Sequence, residues 1–192
     1  NIAVGGSALY LVLKKAVKKL CNIAAHLLKC PINDVGLANG TAYQLSSPTN
    51  FIAFSDLASA SYEKESLPPA LDALLDFSGS FTLPNTPFSF GAHVVVVNVS
   101  QDTGDVSVLK YAAVHDCGRI INPTIVDGQM HGGIVQGIGQ ALSEHVAYTE
   151  DGQPLNGSLF DYALPIAQQI PDILLDTIET PSPTNPLGAR GI

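Results

Sequence analysis

Between Ser7 and Leu28, the apolar residues Leu13, Ala16, Val17, Leu20, Ile23, Ala24 and Leu27 recur at helical spacing, while Lys14, Lys15, Lys18, Lys19 and Asn22 fill the opposite face. That period predicts an amphipathic surface helix. Its basic stripe reads as a solvated face, because no aromatic anchors accompany it. After Pro31 the segment Val35 to Leu45 predicts a short strand or hairpin, and Phe54 to Ala58 a short helix with Ser55 as N-cap. Residues Ser66 to Asn85, interrupted by Pro68, Pro69, Gly79 and Pro84, read as a connecting segment in which a sub-boundary is expected. The β-branched runs His93 to Val99 and Val106 to Val114 flank the turn residues Asp102 to Asp105 and predict an antiparallel hairpin. Four successive valines, Val94 to Val97, imply that its first strand is buried on both faces.

The pattern changes from His115 to Ala141, where polar side chains and six glycines stand where a core helix would carry bulky apolar residues. A glycine inside a helix costs roughly 1 kcal/mol relative to alanine, so several of them imply close approach by another backbone or a ligand. Asn122 is expected to cap this helix and Pro123 to occupy its first turn. Asp116, Cys117, Arg119 and Asn122 therefore gather at a strand-to-helix corner, where donors and acceptors can converge on a ligand. Further on, Glu144 to Tyr148, Phe160 to Leu164 and Ile173 to Ile178 read as strands, and Pro181, Pro183 and Pro186 prevent regular structure in the tail. Together these elements give an α+β class with mixed or antiparallel sheets and packed helices.

Composition narrows the functional classes. A chain of 192 residues with 46% hydrophobic content can bury a real core. No apolar run approaches the ~20 residues of a membrane span, and the lysines of the first helix follow its apolar stretch, opposite to an export signal. A net charge of −8 with only nine Lys and Arg argues against a general nucleic-acid binder. Cys21 and Cys30 are too far apart along one helix to bridge, and three cysteines cannot all pair, which points to a reducing, cytoplasmic setting. A zinc site from His115, Cys117 and His131 lacks the paired spacing such sites use. The Gly137-Ile138-Gly139 pair lacks the third glycine and preceding strand of a dinucleotide loop.

Two long motifs carry a family resemblance: D-C-G-R-I-I-N-P from Asp116 to Pro123, and D-G-Q-M-H-G-G-I-V-Q-G-I-G-Q-A from Asp127 to Ala141. Two more follow in the same order, G-S-L-F-D-Y-A-L-P from Gly157 to Pro165 and T-P-S-P-T-N-P-L-G-A-R-G from Thr180 to Gly191, with a weaker match at Ala3 to Ala8. The set resembles the large subunit of molybdenum hydroxylases, the family of xanthine dehydrogenase, aldehyde oxidase and aerobic carbon monoxide dehydrogenase. The resemblance implies the molybdopterin-binding fold over residues 1–192. It also implies a molybdenum-pterin cofactor, molybdopterin itself or its cytosine dinucleotide form, with iron–sulfur clusters and FAD on partner subunits or domains. The expected reaction is oxidation of an aldehyde, an N-heterocycle or carbon monoxide, with water as the oxygen source.

Carried over by position, the resemblance implies that Asp116, Cys117, Gly118, Ile121, Asn122 and Gln129 hold the pterin or its nucleotide extension. Arg190 and Gly191 match the short loop that approaches the pterin, with arginine where lysine is frequent. In that family a glutamate base follows this loop within a few residues, and the sequence in hand stops at Ile192. The expectation is therefore an excised or shortened piece, or one part of a split large subunit, with no catalytic residue of its own, no protein-held metal, and no activity alone. The remainder of the large subunit and a small-molecule substrate are the other expected partners. The competing expectation is a noncatalytic α+β interaction or scaffold module that keeps the same surface.

Overall fold

The computed structural model describes residues 2–63, 67, 68, 71 and 75–191. They form two compact units, Asn1–Thr82 and Leu83–Ile192. Of the connecting segment expected at 66–85, residues 66, 69, 70 and 72–74 lie outside the described set.

In the first unit a π-helical turn, Ile2–Gly6, leads into α1 (Ser7–Leu28). The helix stops where Lys29 turns left-handed at φ 54° and its N–H, with that of Cys30, satisfies the carbonyls of His26 and Ala25. This is the usual way for a helix end to use its orphan carbonyls. Three antiparallel strands follow in the order β1 (Val35–Ala38), β2 (Thr41–Gln44) and β3 (Ser47–Ala53). Asn39 and Gly40 both have positive φ, the conformation a two-residue hairpin demands. The sheet passes into α2 (Phe54–Tyr62). The helix starts at Phe54 as read, but its N-cap is Ala53, two residues before the expected Ser55, with no side-chain cap, so Ser55 lies inside the first turn. β3 was hidden in the sequence by its polar opening, Ser47-Pro48-Thr49-Asn50.

Ile23 and Ala24 of α1, Ala42 of β2, Leu57 of α2 and Leu67 form the core of this unit, with Leu27, Ile52 and Phe54 packed around it. Only the end of α1 reaches that core: Leu13 and Val17, though on the apolar face, are exposed.

The second unit is built on a sheet in the order β4 (Phe90–Val99), β5 (Val106–Asp116) and β6 (Ile173–Ile178). β4 and β5 form the expected hairpin, and β6 joins β5 in parallel, which makes the sheet mixed. The chain reaches β6 through α3 (Pro123–Leu142), whose Val126 and Met130 pack with Cys117, Ile120 and Leu175. The class is α+β, as the pattern implied.

Two expectations fail here. Every residue of β4 is exposed, although its valines suggested burial on both faces. β4 is an edge strand bonded to β5 alone, and the packing of the unit gathers on the other side of β5. Glu144 to Tyr148 and Phe160 to Leu164 are not strands. The first is reduced to a single bridge between Tyr148 and Pro154. In the second, the Ser158 hydroxyl accepts from the N–H of Phe160 and donates to Asp161, a local turn that outcompetes extension. Among the described residues no helix is long and apolar enough to cross a membrane.

Ile23 is fully buried at the centre of the first core. Ile23→Ala is expected to destabilise the first unit by about 2–5 kcal/mol, read from the urea midpoint at constant slope.

Candidate functional site

β5 delivers Asp116 to a buried position, with only 2% of its surface exposed. Its Oδ1 accepts from the N–H of Gly118 at 2.8 Å and from that of Thr180 at 3.1 Å. One carboxylate oxygen thus ties the end of β5 to a segment more than sixty residues later. The other oxygen, Oδ2, is buried with no hydrogen-bond partner among the described residues. The Thr180 side chain is the largest influence on this carboxyl, which lies below the ordinary carboxylate range. The N–H groups of Gly118 and Thr180 and the charge of Arg190 act in the same sense, against the burial. The group is therefore an anion at neutral pH.

Gly118 turns the chain at φ +71°, and a Cβ there would run into the carbonyl of Gly188. The close approach is used: Arg119 N–H donates to the Gly188 carbonyl at 2.9 Å, and Arg190 N–H donates to the Cys117 carbonyl at 2.7 Å. The two loops are zipped at Gly118 and Ala189. Asn185 is buried and holds both the N–H and the carbonyl of Ala189, at 3.1 and 2.7 Å, which locks the far loop from behind. Glu179 adds an acceptor for Ile120 N–H at 3.2 Å.

The structure thus brings Asp116, Cys117, Gly118 and Arg190 into one knot. Arg190 donates from Nε to the Thr180 carbonyl and from Nη1 to the Phe88 carbonyl, and its guanidinium lies 5.7 Å from the centre of the Phe90 ring. Cys117 contributes its backbone, while its thiol is buried against Val126 and Met130 and pushed up chiefly by burial. Asn122 caps α3, its Oδ1 accepting from Ile125 N–H at 3.3 Å, with Pro123 at the first helical position. Ile121 is about half exposed, and the N–H groups of Ile121 and Asn122 have no acceptor among the described residues. Gly191 continues the loop at the surface.

Gln129 stands apart from this knot. It lines a cavity of about 310 Å³ between α3 and the sheet, together with His93, Tyr111 and His115. His131 turns its Nδ1 to the Asp127 carbonyl at 2.8 Å, so His115, Cys117 and His131 do not converge. Among the described residues no group of three or more His, Cys, Asp or Glu is placed to hold a metal ion. Sequence reasoning did not single out Thr180, Asn185 or Glu179 by side chain. Their only signal was membership of the proline-rich motif or its border, because their partners lie far off in sequence.

A family model described as "Molybdopterin cofactor-binding domain" matches residues 1–171. The chain is 34% identical over 190 residues to the carbon monoxide dehydrogenase large chain of Hydrogenophaga pseudoflava, covering 98% of this chain and 23% of that one. It is 36% identical over 176 residues to the nicotine 6-hydroxylase large subunit of Paenarthrobacter nicotinovorans, covering 91% and 22%. The solved quinoline 2-oxidoreductase from Pseudomonas putida 86 superposes with a TM-score of 0.81 at 34% identity, over 93% of this chain and 23% of that chain. A Cu,Mo-CO dehydrogenase superposes with a TM-score of 0.83 at 33% identity, over 97% and 23%. The chain therefore spans under a quarter of the length of these relatives.

Two outcomes follow from the knot. Gly118→Ala should cost at least about 1–2 kcal/mol, because alanine resists positive φ and its Cβ would part the loops. Hydrogen exchange at the Arg119 and Arg190 amides should accelerate, and unchanged protection would contradict the zipper. Because the Asp116 carboxyl is held below its unfolded value of about 3.9, the stability it contributes is complete above that pH and is lost as pH falls through the lower folded value. Asp116→Asn should flatten this acid limb in a plot of urea midpoint against pH.

Proposed function

The chain belongs to the molybdopterin cofactor-binding domain family, and on that premise we propose that the corner from Asp116 to Asn122, with Arg190 and Gly191, holds the molybdenum-pterin cofactor. The orphaned, buried Oδ2 of Asp116 carries this reading. A buried carboxylate oxygen without a donor is costly, and an amine-bearing heterocycle, the pterin or the cytosine of a dinucleotide form, supplies the missing donor. The unpaired N–H groups of Ile121 and Asn122, at the positive end of α3, suit the pyrophosphate of a nucleotide extension. The residues present fit the group.

When bound, such a cofactor supplies Lewis acidity and redox chemistry. The chain's own part is binding and orientation. Asp116 accepts from the heterocycle while its Oδ1 fixes Gly118 and Thr180. Arg190, held by two carbonyls, keeps a positive charge beside the anionic carboxylate. Gln129 adds an amide from α3 on the cavity side.

In the longer protein that the relatives represent, the reading extends to a hydroxylase large subunit that oxidises an aldehyde, an N-heterocycle or carbon monoxide with water as oxygen source. Iron–sulfur and flavin partners would carry electrons away, in a cytoplasmic setting consistent with the free Cys21, Cys30 and Cys117. The 192 residues alone are proposed to be inactive.

In the full-length assembly, Asp116→Ala should raise the dissociation constant of the pterin cofactor by roughly tenfold to a hundredfold, the weight of one hydrogen bond to a charged group. Unchanged cofactor affinity in a folded variant would sink the assignment.

A further inference from the structure

The face of β5 opposite Asp116 carries a second polar arrangement. Tyr111 and His115 lie on one face of β5, four residues apart along a strand of period two. His93 of β4 pairs with Ala113, between them, and so shares that face. This register depends on the bulge at Val96 and Val97: counted regularly from the turn, His93 would oppose Ala112 and point away. The result is a continuous chain of contacts. His115 Nε2 lies 2.8 Å from His93 Nε2, and His93 Nδ1 lies 3.0 Å from the Tyr111 hydroxyl. The rings stack edge to face, and Gly91 leaves the room, since a Cβ there would come 3.0 Å from the His115 ring and 2.7 Å from the Val114 carbonyl.

The inner end of the chain is the remaining ring nitrogen, His115 Nδ1, which is buried with no partner among the described residues. The outer members are accessible, His93 being exposed and Tyr111 half-buried. The cavity beside them is otherwise lined by Ser89, Gln129, Met130, Ile134 and the open glycines Gly133 and Gly137, none of which titrates. Burial, and then the neighbouring His93, hold His115 below the ordinary histidine range, so it is neutral at pH 7.

We propose that His115, His93 and Tyr111 form a proton relay between the buried Nδ1 of His115 and solvent. The hydrogen bonds allow two arrangements. In one, His115 Nε2–H donates to His93 Nε2, His93 Nδ1–H donates to the Tyr111 oxygen, and His115 Nδ1 is free to accept. A proton arriving at His115 Nδ1 drives the Nε2 proton to His93, the His93 Nδ1 proton to the Tyr111 oxygen, and the original hydroxyl proton to water. One proton enters and one leaves. The second arrangement remains, with Tyr111 O–H donating to His93 and His93 to His115. Its use in turnover rests on the cofactor reading above; its existence does not.

The test is 15N nuclear magnetic resonance on the full chain labelled at histidine. A working relay averages the two tautomers, so the Nδ1 and Nε2 signals of His93 should both fall between the pyrrole-like and pyridine-like positions. Tyr111→Phe removes the outer exchange point and should resolve His93 into one tautomer. His131 and His145, unchanged in both spectra, show that the fold is kept. A single fixed tautomer of His93 in the unmodified protein, or averaging that survives Tyr111→Phe, would overturn the relay, whereas loss of cofactor binding would leave it standing.

Discussion

One buried carboxylate organises the second unit. Oδ1 of Asp116 is shared between the N–H of Gly118, two residues on, and that of Thr180. The turn at Gly118 and the passage of the chain after β6 are thereby set by the same atom. That bond works together with those by which the Cys117 and Arg119 backbone meets Arg190 and Gly188. The Thr180 side chain first, and then the charge-assisted bonds that hold the loops, keep the group ionised, and the geometry leaves Oδ2 buried with no hydrogen-bond partner among the described residues. A ligand donor there would complete a carboxylate that the fold has already desolvated.

The elements around the knot have physical roles that support it. α3 starts at Asn122 because the side-chain cap and Pro123 satisfy its first turn, which fixes the position of the corner relative to the helix. Val126 and Met130 then bury Cys117, so the strand end is anchored by apolar packing on one side and by hydrogen bonds on the other. Asn185 holds Ala189 from behind and keeps the second loop from flexing away. The alternation of β5 sends Asp116 to this knot and His115 to the opposite face. Neighbouring residues thus serve different polar systems.

Much of this was legible in the sequence, and the limits have physical causes. The period of α1, the Asn122–Pro123 helix start and the β4–β5 hairpin follow from local spacing and capping chemistry, and the structure bears them out. The grouping of Asp116, Cys117, Arg119 and Asn122 followed from their position at a strand end, and Gly118 was added by the family resemblance. Arg190 joined them only through the family resemblance, because no local signal marks a contact across seventy residues. The His93–Tyr111–His115 alignment was invisible for a sharper reason: a bulge one residue long decides which face His93 occupies. Phe160 to Leu164 misled because its apolar content suggested a strand, whereas the Ser158 hydroxyl captures the backbone first. The valines of β4 misled in the opposite sense, since β4 is an edge strand bonded to β5 alone and all of its residues are exposed.

The corner formed by Asp116 to Asn122 and Arg190 to Gly191 is proposed to hold the cofactor. Hydrogen–deuterium exchange on the full-length protein, loaded with molybdenum-pterin cofactor and then stripped of it, tests this most directly. Loading should slow exchange at the Ile121, Asn122 and Gly191 amides while α1 and the first unit's sheet stay unchanged. Identical exchange at those amides in the loaded and stripped forms would contradict it.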